Sequence, residues 1–117
     1  MKKDVLVVDD EKDVRDFLAD LLEDQGYSVR QAADGVEAMD MLKNRKPDLI
    51  LLDLLMPKAT GTDLYRKILR KKEFESVPVI VISGLAGRDL AVSKSVPVFD
   101  KPIDESGLLD AIRKAVG

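Results

Sequence analysis

The sequence predicts an α/β protein built on a doubly wound parallel sheet, and three observations carry that expectation. VLVV (5–8), LILL (49–52) and VIVI (79–82) are short apolar runs without alternation, the pattern of strands buried on both faces. Helical periodicities separate them, so that strand and helix alternate five times. Polar residues follow the strands, at the end where open parallel sheets bind their ligands. The chain has 117 residues, enough for one domain spanning 1–117 whose core needs no disulfide or metal staple.

The elements follow in order. VLVV ends in Asp9-Asp10-Glu11, and then Val14, Phe17, Leu18, Leu21 and Leu22 fall on one helical stripe, stopped by Gly26. SVRQA (28–32) alternates only loosely and suits an edge strand. Val36, Met39 and Leu42 make a shorter stripe, with Asp34 as its N-cap and a stop before Pro47. LILL leads directly into Asp53. Leu64, Ile68 and Leu69 mark a third helix, with Thr60 or Thr62 available to cap it, and VIVI then ends in Ser83-Gly84. GRDLAVSKS (87–95) fits either two helical turns or an irregular loop. VPVF (96–99) holds a proline, suits the other edge, and leads to Lys101-Pro102. Leu108, Leu109, Ile112 and Val116 form the last helix, with Asp104 as N-cap and Glu105 in its first turn. Right-handed crossovers between parallel strands place helices on both faces.

Composition removes several classes of function. With no Cys and no His, disulfides, thiolate-metal sites, imidazole zinc sites and the Ser-His-Asp arrangement are all excluded. Nineteen basic against 22 acidic residues leave a net charge of −3, which does not suggest nucleic-acid binding. The most basic run, RKILRKK (66–72), reads as the solvated face of a helix, because Ile68 and Leu69 interrupt the charges at helical spacing. The apolar run between Asp4 and Asp9 is too short for a signal peptide, and no run is long enough to span a bilayer, so no membrane association is expected and the cytoplasm is the default location.

Asp53 stands alone among apolar residues in LILLDLLMP (49–57), where an unpartnered carboxylate is costly to bury. The topology supplies company. Asp9, Asp10 and Glu11 after the first strand, Ser83 after the fourth and Lys101 after the fifth gather at the same end of the sheet as Asp53. Converging carboxylates repel one another unless a cation joins them, and all-oxygen ligation suits Mg²⁺ or Mn²⁺. Carboxylate, divalent cation, lysine and hydroxyl together make a place for a phosphoryl group. With His and Cys absent, the nucleophile is a carboxylate, and Asp53 is the best placed. Plainer readings exist for each piece alone: the acids as a helix cap, Ser83 as a turn residue, Lys101 as a loop residue. Together they would require a coincidence of placement.

These residues resemble the receiver domain of two-component response regulators, of the single-domain chemotaxis-regulator type. The resemblance runs through VLVVDDE (5–11), DLILLDLLMP (48–57) with Gly61 after it, VPVIVISG (77–84) and VFDKPI (98–103). It implies a flavodoxin-like sheet of five parallel strands in the order 2-1-3-4-5. It also implies that Asp53 is the phosphoacceptor, taking a phosphoryl group from the phosphohistidine of a sensor histidine kinase or phosphotransfer protein. Mg²⁺ would be held by Asp10, Asp53 and the backbone carbonyl of Leu55, with Asp9 acting through water. Lys101 would contact a phosphoryl oxygen, Ser83 would swing toward the phosphate, and Phe99 would turn inward with it; by itself Phe99 reads as a core aromatic on an edge strand. Such a domain catalyses only its own phosphoryl transfer and slow autodephosphorylation. Its output is a changed surface for an unknown downstream protein, on a monomer or a phosphorylation-dependent dimer.

Three departures from the family pattern stand out. The stretch between Ser83 and Lys101 is about one helical turn short, so the fourth of the five helices is expected to be shortened. Ala59-Thr60 replaces the Met-Asp pair often seen before the loop glycine. Leu55 and Leu85 sit two positions beyond Asp53 and Ser83, where two leucines would shield an acyl phosphate from water, and a slow dephosphorylation is expected. Two other readings compete. A haloacid-type phosphatase needs Asp-x-Asp on its first strand, whereas Asp53 follows the third and Leu55 occupies the place of the second acid. A degenerate receiver that binds partners without phosphorylation would lack part of the site, yet Asp9, Asp10, Asp53, Ser83 and Lys101 are all present. The last predicted helix is followed only by Gly117, so no output domain is expected within these residues, although a stand-alone regulator and a receiver cut from a longer protein would look alike.

Overall fold

The computed structural model of the chain describes residues 3–53, 66–68, 70–71, 74, 76–83, 98–100 and 104–116. Strands β1 (Asp4–Val8), β2 (Ser28–Ala32), β3 (Leu49–Asp53), β4 (Val79–Ser83) and β5 (Val98–Asp100) pair in parallel in the order β2-β1-β3-β4-β5. Helices α1 (Lys12–Asp24) and α2 (Gly35–Asn44) connect the first three strands, and a C-terminal helix spans Glu105–Val116. β2 and β5, the two weakest strand patterns in the sequence, take the two edges. The jump from β2 past β1 to β3 is the switch point, and ligand crevices form at such places.

Alternation along the strands divides the core in two. Val5, Val7, Leu49, Leu51, Ile80 and Ile82 face Leu18 and Leu22 of α1 and Leu108 and Ile112 of the C-terminal helix. Leu6, Val8, Ile50, Leu52 and Val81 face Ala38, Met39 and Leu42 of α2, together with Ile68 and Phe74. Side chains of successive strand residues point to opposite faces, so a strand covered on both sides must be apolar throughout. That requirement explains why the three central runs do not alternate.

Local signals set the helix ends. The Asp34 carboxylate accepts the Glu37 N–H at 2.8 Å, while the Glu37 carboxylate accepts the Ala33 N–H at 3.1 Å, a reciprocal cap for α2. At the end of α1, Gly26 takes a left-handed φ of 91°. Its N–H donates to the Glu23 carbonyl, and that of Tyr27 to the Leu22 carbonyl, which closes a Schellman turn and seats Tyr27 against the core.

The helical stripes are narrower than the sequence suggests. Phe17 is 42% exposed and Val36 is 62% exposed, at the margins of stripes whose centres are Leu18, Leu22, Met39 and Leu42. Ala19 and Ala38 are buried in their place, because the helices approach the sheet closely enough that a small residue fills the contact. Ile68 is buried as expected, whereas Leu64, Leu69, Thr60, Thr62 and the whole of 87–95 lie outside the described residues.

The amino end of the sheet is closed by a polar clamp. Arg30 of β2 grips Asp4 of β1 through both carboxylate oxygens, Nη2 at 2.6 Å and Nε at 3.3 Å. Arg45, just past α2, stands 3.5 Å from the same carboxylate. Asp48 accepts the Asp4 N–H at 2.8 Å and returns its own N–H to the Asp4 carbonyl at 2.8 Å. The clamp ties both neighbours of β1 to it, below the core.

Candidate functional site

At the carboxyl end, register does the positioning. Val8 pairs with Leu52, so one step further along the two parallel strands brings Asp9 beside Asp53. Both continue the rows Val5-Val7 and Leu49-Leu51, which lie on the α1 side of the sheet. Asp9 is 1% exposed and Asp53 is 3% exposed, the two buried charged residues among those described. Asp10 is exposed at the bend after β1. Each of Asp9, Asp10 and Asp53 offers a carboxylate oxygen, and the three oxygens lie within 4.8 Å of one another.

The acids are not there to cap α1. Its N-cap is Glu11, whose side chain makes no capping bond. The Asp9 carboxylate instead accepts the Glu11 N–H at 2.9 Å, which tightens the 9–11 turn. The Asp9 N–H donates to the Ala32 carbonyl at 3.1 Å, extending the β1–β2 ladder by one rung. A cation placed among three carboxylates at this separation would offset their mutual repulsion. Oxygen donors alone, two buried and one open to water, form a set compatible with a divalent cation that keeps some of its waters.

On the rim, Lys12 and Asp16 form an exposed pair at 2.6 Å. The hydrogen bond from the Lys12 ammonium, reinforced by its charge, holds the Asp16 carboxyl below the usual range and lifts Lys12 above its own.

The other expected site residues divide by location. Ser83 is the last residue of β4, where its backbone pairs with Asp100; Asp53 pairs with Ile82, so Ser83 stands one position beyond it. Phe99 pairs with Ile82 in the backbone of β5. Leu55 and Lys101 lie outside the described residues. A residue that sequence reasoning passes over is Arg15, whose Nη1 donates to the Asp9 carbonyl at 2.6 Å. The available signal is its place at the end of the first turn of α1, since long helical side chains lean back toward the helix start.

With this geometry in view, residues 5–113 match the model of the response regulator receiver domain. The chain belongs to the response regulator receiver domain family. Protein Rrf1 of Nitratidesulfovibrio vulgaris is 31% identical over 112 residues, covering 96% of this chain and 81% of that protein. Response regulator MprA of Mycobacterium sp. strain KMS is 39% identical over 101 residues, 86% of this chain but 41% of its own length. The chain thus spans most of one relative and less than half of the other. Among solved structures, the receiver domain of NtrX from Brucella abortus superposes with a TM-score of 0.85 at 32% identity, covering 96% of this chain and 97% of that one. Chemotaxis response regulator CheY4 of Vibrio cholerae, with a TM-score of 0.83 at 24% identity, shares the fold. As a receiver domain the chain is a signalling module of two-component systems rather than a metabolic enzyme.

Proposed function

We propose that Asp53 is the phosphoacceptor of this receiver domain and that Asp10, Asp53 and the Leu55 carbonyl hold Mg²⁺, or Mn²⁺ in its place, with Asp9 acting through water. The observation that carries this reading is the convergence of the Asp9, Asp10 and Asp53 carboxylates within 4.8 Å at the carboxyl end of the sheet. Bound there, the cation supplies positive charge that offsets the phosphoryl oxygens and the acids themselves. An Asp53 carboxylate oxygen attacks phosphorus while the bond from phosphorus to the donor's imidazole nitrogen breaks. The new P–O bond makes an acyl phosphate, and the imidazole leaves with the electron pair and takes up a proton.

The remaining residues read the product. The phosphoryl group brings up to two negative charges and three acceptor oxygens. Lys101 meets one oxygen, the Ser83 hydroxyl donates to another, and Phe99 turns inward as Ser83 moves. These shifts bias the packing of the β4 and β5 ends and change the surface shown to a downstream protein. The stretch between Ser83 and Lys101 is about one helical turn short of the family pattern, and this shortening would give a partner surface unlike that of longer receivers. Leu55 and Leu85 shield the acyl phosphate, so water attacks phosphorus slowly and the mark persists. The donor is a sensor histidine kinase or phosphotransfer protein in the cytoplasm, no nucleic acid is bound directly, and the domain acts as a monomer or as a phosphorylation-dependent dimer.

Acetyl phosphate or beryllofluoride with Mg²⁺ tests the reading, followed by intact mass and NMR. Acetyl phosphate should add one phosphoryl group to the wild type and beryllofluoride should shift its NMR spectrum, with neither effect on Asp53→Asn or after chelation, and the phosphoryl group should outlast the seconds scale. An adduct on Asp53→Asn equal to that of the wild type, or one indifferent to metal, overturns the assignment.

A further inference from the structure

We infer that Arg15 is a positioning residue for the cation site, acting through the backbone of Asp9 rather than on the phosphoryl group. The inference rests on the reading of Asp9, Asp10 and Asp53 as that site. Arg15 Nη1 donates to the Asp9 carbonyl at 2.6 Å, and Nε donates to the Gln31 Oε1 of β2 at 3.2 Å. Its own N–H reaches the Glu11 carbonyl at 3.1 Å in the first turn of α1. One residue therefore links the turn after β1, the start of α1 and the edge strand, the first and last through its side chain and the second through its backbone.

The atom it holds matters. The Asp9 carbonyl belongs to the rigid peptide plane that joins the Cα atoms of Asp9 and Asp10. Fixing that oxygen fixes the tilt of the plane, and with it the directions in which the two acids project. The Asp9 N–H is tied to the Ala32 carbonyl at 3.1 Å and its carboxylate to the Glu11 N–H at 2.9 Å. The Arg15 bond adds a contact on the far side of Asp9, between it and Asp10. Gln31 keeps the guanidinium aimed, because an arginine stem held at two nitrogens has little freedom left to turn away.

Charge and position pull in opposite directions here. A guanidinium beside three carboxylates repels an incoming cation, so losing its charge alone would tighten metal binding. Losing its grip on the peptide would loosen binding, and residues that orient a metal's ligands typically change affinity by about tenfold or more. Positioning is the larger effect, which makes the sign of the change diagnostic.

The test measures Mg²⁺ affinity by calorimetry, and Mn²⁺ affinity by electron paramagnetic resonance, without any phosphodonor. Arg15→Met, which keeps the stem but loses charge and donors, should bind about tenfold more weakly. Arg15→Lys, which keeps the charge and a donor for the carbonyl, should recover part of that loss. Gln31→Leu should weaken binding less, and should add nothing in an Arg15→Met background, because it acts through the same guanidinium. Equal or tighter binding by Arg15→Met with a cooperative thermal transition overturns the inference, as does full additivity of the two substitutions. Should Arg15→Met not fold, unchanged affinity in both Arg15→Lys and Gln31→Leu overturns it. A wild type that binds neither cation overturns the site reading and the Arg15 inference together, whereas normal wild-type binding with unaffected variants overturns the Arg15 inference alone.

Discussion

At the amino end of the sheet an acid meets bases, and at the carboxyl end an acid meets acids. Asp4, on the first residue of β1, lies against Arg30 at 2.6 Å and Arg45 at 3.5 Å, and its side chain is 13% exposed. Asp9, just past the last residue of the same strand, shares a space of 4.8 Å with Asp10 and Asp53. One strand thus begins and ends at a carboxylate held in opposite ways. The amino end brings its countercharge in the chain, so its geometry serves stability. At the carboxyl end, among the described residues, three carboxylates converge at the switch point of the sheet, a set whose mutual repulsion an added cation would offset.

The largest effect expected of this contrast is at the amino end. Arg30→Met removes both hydrogen bonds to Asp4 and leaves that carboxylate largely enclosed. Breaking a fully buried pair costs about 3–5 kcal/mol, and with partial exposure and Arg45 still near, about 2–3 kcal/mol is expected here. Urea denaturation reads this directly, and a loss below about 1 kcal/mol would show that Arg45 and Asp48 suffice.

The carboxyl end should answer with the opposite sign. Asp10→Asn removes one of the three converging charges at its exposed member. In chelator, the variant should be at least as stable as the wild type, because one of three like charges has been removed. In excess Mg²⁺ the order should reverse, because the wild type gains about 2–3 kcal/mol at a hundredfold excess over its dissociation constant and the variant gains less. Melting curves with and without metal give both signs in one experiment. A variant less stable than the wild type in chelator would mean that the acids are held mainly by bonds within the chain, as at the amino end.

The two ends were not equally legible. Asp53 and Asp9 stand out because a carboxylate following an apolar strand must arrive at the strand's end, and parallel register then brings strand ends together. The amino-end clamp is invisible by the same logic, since Asp4 and Arg30 are far apart in sequence and each looks like an ordinary surface charge. Helical periodicity located α1 and α2 but not the width of their buried faces: Phe17 and Val36 fit the period and still face water. Phe74 shows the reverse failure. It sits between Glu73 and Glu75 in a charged run, yet it is 2% exposed and fills the α2 side of the core. Periodicity reports a helix's direction; only the depth of contact with the sheet decides which marginal residues are covered.

The smallest effect belongs to the rim of the acid site, and it separates contact from consequence. Lys12 and Asp16 are as close as Arg30 and Asp4, 2.6 Å in each pair, but both are exposed. The lysine also precedes the acid along the helix, at the end where the helix dipole disfavours positive charge. The Asp16 carboxyl is held below its usual range by the Lys12 hydrogen bond, so any stability it lends is present above the unfolded carboxyl's titration and is lost as pH falls through the folded one. Water screens that contribution, and Asp16→Asn should leave the urea midpoint at neutral pH unchanged within error. A measurable loss would mean that the pair braces the first turn of α1 and, through it, the turn that carries Asp9 and Asp10. Equal distances would then carry equal weight at both ends of the sheet, and burial would not be what distinguishes them.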